Sequence, residues 1–309
     1  LYINDLISGT QVAFQITKHC RFVYSRRGSI MKRMLSLFSG ALAAGTILLA
    51  GTLVAQNAVA GIANTKHNLT ATGTANQFSG TAEICVFCHT PHGSDTSAAV
   101  PLWNRKLSSP ASYTTYDSLG TSSLDGSTAP VGSVSIACLS CHDGTQAMNV
   151  MLNAPGSGGF NAAGAAMAGN WTGPAGTATP AGSLNYATAS VVNLGVDLRN
   201  DHPIGIQYGG GGIAAGTQAG ASSGSVNDPD FKAPQDDLLG GTRIWWVDTG
   251  TAGRQKTDML LYTRNEASVA GGYQPFVECA SCHDPHTENA TFLRISNAGS
   301  AVCLACHTK

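Results

Sequence analysis

The chain has 309 residues, with 18 Asp+Glu against 17 Lys+Arg and only 11% charged side chains, under half the quarter or so usual for soluble domains. A near-neutral balance with no basic stripe excludes a nucleic-acid-binding reading. With 37 glycines and 7% aromatics, the side chains alone make a poor hydrocarbon core, so another apolar body is expected to fill the interior.

Residues 1–30 show no periodicity and hold one stray cysteine, Cys20, beside His19. They read as translated sequence upstream of a start at Met31. Residues 31–60 read as a signal peptide: Lys32 and Arg33, then an apolar or small run over 34–54, then the A-x-A site Ala58-Val59-Ala60. The run approaches the length of a membrane span, but the cleavage site and the many Gly and Ala favour removal. No second long apolar stretch follows. The mature chain is therefore expected over 61–309, exported, without a membrane span, and with 11 Lys+Arg against 17 Asp+Glu.

The other eight cysteines fall in four copies of C-x-x-C-H: Cys85, Cys88 and His89; Cys138, Cys141 and His142; Cys279, Cys282 and His283; Cys303, Cys306 and His307. Composition alone predicts on the order of 0.01 such pentapeptides in a chain like this. The spacing has a chemical reason. Two thiols three residues apart reach the two vinyl groups on one porphyrin edge, and the next residue supplies an axial imidazole to the iron. Disulfides, zinc knuckles or redox dithiols need no histidine after every second cysteine. Four covalently bound haems c are expected, and attachment outside the cytoplasm agrees with export.

Four more histidines lie in the mature chain: His67, His92, His202 and His286. Four haems need four sixth ligands, so the tally predicts bis-His, low-spin irons throughout. His92 and His286 each follow a proximal histidine by three residues. One helical turn puts each pair on the same side, so the second histidine faces a neighbouring haem rather than its own. Pro203 fixes the backbone after His202. Met148, Met151, Met167 and Met259 are the rival ligands, and none has a distinctive setting.

The fold class expected is mostly irregular coil with short helices and few strands, organised around a chain of four haems. Prolines near the ligands keep the helices short. Residues 191–197, 242–247 and 259–263 are strand candidates, while 152–183 and 208–225 read as irregular Gly/Ala/Ser-rich loops. Trp245 and Trp246 read as packing. Only 19 residues, 284–302, separate motifs three and four, so their haems are expected to be neighbours in one continuous chain.

The segments ICVFCHTPHG (84–93), PLWNR (101–105), CLSCHDGT (138–145), HPIGI (202–206), CASCHDPH (279–286) and CLACH (303–307) resemble multihaem cytochromes with the doubled C-x-x-C-H motif. In particular they look like the tetrahaem surface cytochromes of metal-reducing bacteria that polymerise into extracellular electron-conducting filaments. The resemblance implies stacked bis-His haems in alternating parallel and perpendicular pairs, end haems close to those of the next subunit, and a distal histidine donated between subunits. His67, near a free N-terminal segment, is the candidate donor. The expected function is electron transfer with other cytochromes or redox proteins as partners, as a homopolymer at the cell surface or as a soluble periplasmic carrier. An oxyanion reductase ranks lower, because an enzyme of that kind needs an open iron and the histidine tally closes all four. No catalytic constellation is expected.

Overall fold

The computed structural model describes residues 61–156, 159–186, 191–250 and 252–309. The expectations placed on residues 1–60, an upstream segment and a signal peptide, lie outside the described residues.

Coil dominates, as the composition predicts, and the helices gather at the motifs. Motif one begins in a 3-10 turn, Ile84–Phe87; motifs two to four sit on α1 (Ser135–His142), α2 (Cys279–Cys282) and α3 (Ala301–Cys306). The strands are β1 (Gln77–Phe78), β2 (Val150–Asn153), β3 (Phe160–Ala166), β4 (Trp171–Thr172), β5 (Ile206–Gln207), β6 (Ala214–Ala215), β7 (Ser222–Ser223), β8 (Gln235–Leu239), β9 (Thr242–Val247), β10 (Met259–Arg264) and β11 (Gln274–Val277). β5-β11-β10-β9-β8 form one antiparallel sheet, and β1-β4, β2-β3 and β6-β7 are two-stranded pairs. Among the described residues, no helix is long and apolar enough to cross a membrane.

The candidates at 242–247 and 259–263 appear as β9 and β10. Their β-branched and aromatic residues fit a half-buried pleated surface. β8 and β9 are joined by Gly240-Gly241 with φ of +58° and +80°, the left-handed pair a two-residue hairpin turn requires. The candidate at 191–197 is not a strand; only Asp197 bridges, to Thr114. Its backbone is used elsewhere: the Val192 carbonyl accepts from His142 Nδ1 at 2.8 Å, and the Leu194 amide donates to the His142 carbonyl. The region 152–183 is less irregular than expected, since it contains most of the β2–β3 hairpin and β4. The loop at 208–225 holds the small β6–β7 hairpin.

The core is divided into patches, and the three largest lean on cysteines of the motifs. Leu69, Phe78, Phe87, Met148, Met151 and Leu184 pack with Cys88 and Cys141. Trp103, Val131, Ile136 and Leu139 form a second patch, also against Cys88. Tyr208, Trp245, Val247, Met259 and Ala305 form a third, against Cys282 and Cys306. Met148, Met151 and Met259 are thus core side chains, and Met167 packs on the first patch. Phe78 is fully buried and packs against Trp171 with ring centroids 4.9 Å apart. Phe78→Ala is expected to cost about 3–5 kcal/mol, measured by denaturant unfolding of the mature protein; a loss within experimental error would show this patch carries no stability.

Candidate haem-attachment sites

Within the first three motifs, the two residues between the cysteines turn inward: Val86 and Phe87, Leu139 and Ser140, Ala280 and Ser281 are buried. In the fourth, Ala305 is buried while Leu304 is 44% exposed. The cysteines are held at the edge, with Cys85 and Cys303 exposed and the other six half-buried. Sulfurs of successive motifs lie close enough to interact. Desolvation first, then the nearby Cys141, pushes Cys88 up to about 12. The pKa of the Cys138 thiol is raised and that of Cys279 lowered, each chiefly by the other. Desolvation and then Cys282 push Cys306 up to about 12. Motif one therefore meets motif two, two meets three, and three meets four.

His283 and His307 stand just past their helices in extended backbone, whereas His142 is the last residue of α1. His283 is extended, with φ −105° and ψ 135°, and bridges Leu293, while His89 bridges Trp103. The segment joining the two histidines of C-x-x-C-H-x-x-H is therefore not a helical turn, contrary to expectation. Pro91 and Pro285 disfavour helical backbone in the residue before them. Even so, the distal ring of motif three reaches another motif, because His286 stands opposite His89.

Six of the eight rings are anchored through Nδ1. His89 donates to the Pro101 carbonyl, His142 to Val192 and His283 to Thr291, each at 2.8 Å. His202 donates to Pro203 at 3.0 Å, His67 to Pro285 at 3.3 Å, and His286 to Asp284 Oδ1 at 3.3 Å. A carbonyl or carboxylate only accepts, so Nδ1 carries the proton and Nε2 keeps the free lone pair. This anchoring is the usual outer support of metal-ligating histidine. Burial first, then His142, lowers the His67 pKa to about 4, and burial also lowers that of His142. Burial thus favours the neutral ring at both, the form that binds a metal.

The rings also pair. His89 and His286 have centroids 6.2 Å apart at 14°, and His67 and His142 lie 6.2 Å apart at 76°. An imidazole nitrogen binds a first-row metal at about 2.0 Å and the ring centroid lies roughly 1.1 Å behind it, so two rings on opposite sides of one iron stand ~6.2 Å apart. The residues present therefore fit a haem. Trp103 agrees: its ring is edge-on to His89 at 6.1 Å, and its buried indole N–H has no partner among the described residues, a donor suited to a carboxylate of the bound group. His67 stands opposite His142 of its own chain. His202 is influenced by His307 and, less strongly, by His283. The exposed His92 ring takes no hydrogen bond among the described residues.

The sequence reading missed the residues that clamp motifs together. Ser135 of α1 donates to Glu278 Oε2 at 2.5 Å and accepts from the Cys279 amide at 2.9 Å. Glu278 also pairs with Arg264 at 2.9 Å, with both side chains buried. In PLWNR, the buried Asn104 side chain donates to the carbonyls of Val86 and Asn153. Arg105, also buried, donates to groups of α1 and of 147–150. The available signal was the rarity of charge: a lone Arg or Glu beside a motif in so uncharged a chain has a partner.

No curated protein matches the chain. The family model described as the doubled CXXCH motif matches residues 269–309, which contain motifs three and four. Motifs of this type mark covalently bound c-type haem, and the match supports a multihaem c-type cytochrome acting in electron transfer.

Proposed function

We propose that the protein is an exported electron carrier that holds four haems c at Cys85/Cys88, Cys138/Cys141, Cys279/Cys282 and Cys303/Cys306. Each haem, when bound, takes up and releases one electron at its iron. The observation that carries this reading is the pairing of Nδ1-anchored rings at 6.2 Å, His89 with His286 and His67 with His142. His202 is the distal ligand proposed for the His307 site, which leaves His92 for the His283 site. Two fixed imidazoles per iron exclude a substrate from the metal and let it change charge with little rearrangement, which suits electron transfer rather than catalysis.

In this reading the chain assembles end to end into an extracellular filament, with His92 given to a neighbouring copy. The resemblance at the motifs supports it, and so does a ring exposed and unanchored where the other distal rings are held. A discrete periplasmic carrier is the second reading, in which His92 closes an iron of its own chain. Intact-mass measurement of secreted protein is expected to show four added haems, and electron microscopy to show filaments. Fewer haems would overturn the four-site reading. A monodisperse native monomer would leave the carrier and end the filament.

A further inference from the structure

We infer that Phe292 is a positioning residue, whose ring, carried by a left-handed turn in the loop after motif three, fixes the plane of His67 and so keeps it crossed against His142. The inference rests on the ligand pairing above, in which His67 and His142 share an iron.

The segment that carries His67 is seated on residues 285–292. Asn64 Nδ2 donates to Glu288 Oε1 at 2.9 Å, and His67 Nδ1 donates to the Pro285 carbonyl at 3.3 Å. The half-buried Phe292 ring stacks on the His67 ring, with centroids 4.1 Å and planes 18° apart. A hydrogen bond of 3.3 Å is weak, and a single one acts as a hinge about which an imidazole can turn. The flat phenyl face removes that freedom, because a turning imidazole would drive its edge into the phenyl carbons. His142 is fixed separately, by the Val192 carbonyl at 2.8 Å. With both planes set, the rings cross at 76°.

The backbone under Phe292 shows what the turn does and what the side chain adds. Thr291 and Phe292 have φ of +53° and +58°, a region that a non-glycine residue occupies only where its surroundings impose it. The Thr291 carbonyl accepts from His283 Nδ1 at 2.8 Å, and the Phe292 carbonyl accepts from the Asp284 amide at 2.8 Å. Motif one repeats the device: the Pro101 carbonyl accepts from His89 Nδ1 at 2.8 Å, Leu102 has φ +58°, and its carbonyl accepts from the Thr90 amide at 2.9 Å. The proximal histidine thus accounts for the turn at both motifs. It does not account for the phenyl ring, since Leu102 at the matching place is 50% exposed and glycine would adopt this backbone without strain. His67 against its face accounts for the ring. One turn therefore holds the proximal ligand of motif three through its backbone and the distal ligand of motif two through its side chain.

Low-spin ferric EPR separates the two ring geometries. The near-parallel His89/His286 pair gives a rhombic signal, and the near-perpendicular His67/His142 pair a strongly anisotropic one. In the oxidised mature protein, the signal of the His142 site is the component that His67→Ala removes. Phe292→Gly deletes the ring from a backbone that glycine adopts freely, so the turn and its two carbonyls stay in place. It is expected to move more than half of that component to less anisotropic low-spin forms, with the His89/His286 signal unchanged. Phe292→Tyr, which keeps the flat face, retains the wild-type spectrum. An unaltered component in Phe292→Gly, or an equal change in both variants, overturns the proposal. If Phe292→Gly does not mature, Phe292→Leu, which keeps bulk without a flat face, decides on the same reading. High-spin iron in His67→Ala beside an unaltered Phe292→Gly spectrum sinks the positioning role alone. A wholly low-spin His67→Ala spectrum sinks the shared-iron pairing, and the positioning role with it.

Discussion

His286→Ala is expected to convert one low-spin iron per chain to high spin and to open it to carbon monoxide, with covalent haem content unchanged. Cys85, Cys88 and His89 remain to attach the group and hold its proximal side. The ring opposite His89 at 6.2 Å is the one removed. The ferric rhombic EPR signal of this site should disappear, and the reduced variant should bind CO stoichiometrically where wild type binds none. His283→Ala is not equivalent, because it removes the proximal ligand of motif three. CO binding by wild type to the same extent, or a His286→Ala spectrum like the parent, would mean that His89 and His286 do not share an iron.

The second large effect concerns the clamp between motifs two and three. Arg264→Ala is expected to destabilise the mature protein by about 3–5 kcal/mol at neutral pH, because it leaves Glu278, whose side chain is 0% exposed, without its cation. Burial raises the Glu278 pKa above the ordinary carboxylate value, and Ser135 and Arg264 pull it back. A raised carboxylate pKa means that the folded state binds the proton more tightly than the unfolded one. Stability from this group therefore falls as pH rises from the unfolded pKa through the folded one. Without Arg264 the shift grows. The deficit of Arg264→Ala should thus shrink on acidification, and Glu278→Gln added to it should restore part of the loss at neutral pH. A pH-independent deficit, measured by denaturant unfolding between mildly acid and neutral pH, would place the loss in the packing of the arginine stem.

Much of the chemistry was legible in the sequence because it is local. C-x-x-C-H places two sulfurs and an imidazole within five residues, and the histidine tally needs only counting. Pairing was not legible: His67 and His142 are brought together by the fold, and the distal assignment depends on carbonyls such as those of Pro285 and Val192, which any residue carries. The fold was legible where β-branched and aromatic residues cluster, as in Thr242–Val247. It was hidden at β3, where FNAAGAA has no alternation because most of it is exposed. Residues 191–197 show the reverse: a strand-like composition whose backbone anchors a ligand instead of a sheet. Arg105 was visible only as part of PLWNR; its acceptors on α1 and at 147–150 are brought to it by the fold.

The division of the interior into separate apolar patches has a thermal consequence. The first two patches share Cys88, whereas the patch under α3 packs on Cys282 and Cys306 and shares no side chain with them. Loosening at one end need not propagate to the other, so opening proceeds by regions with their own free energies. A single melting temperature is then not a property of the whole molecule, and one extremity can breathe while the remaining sites stay ordered enough to pass charge.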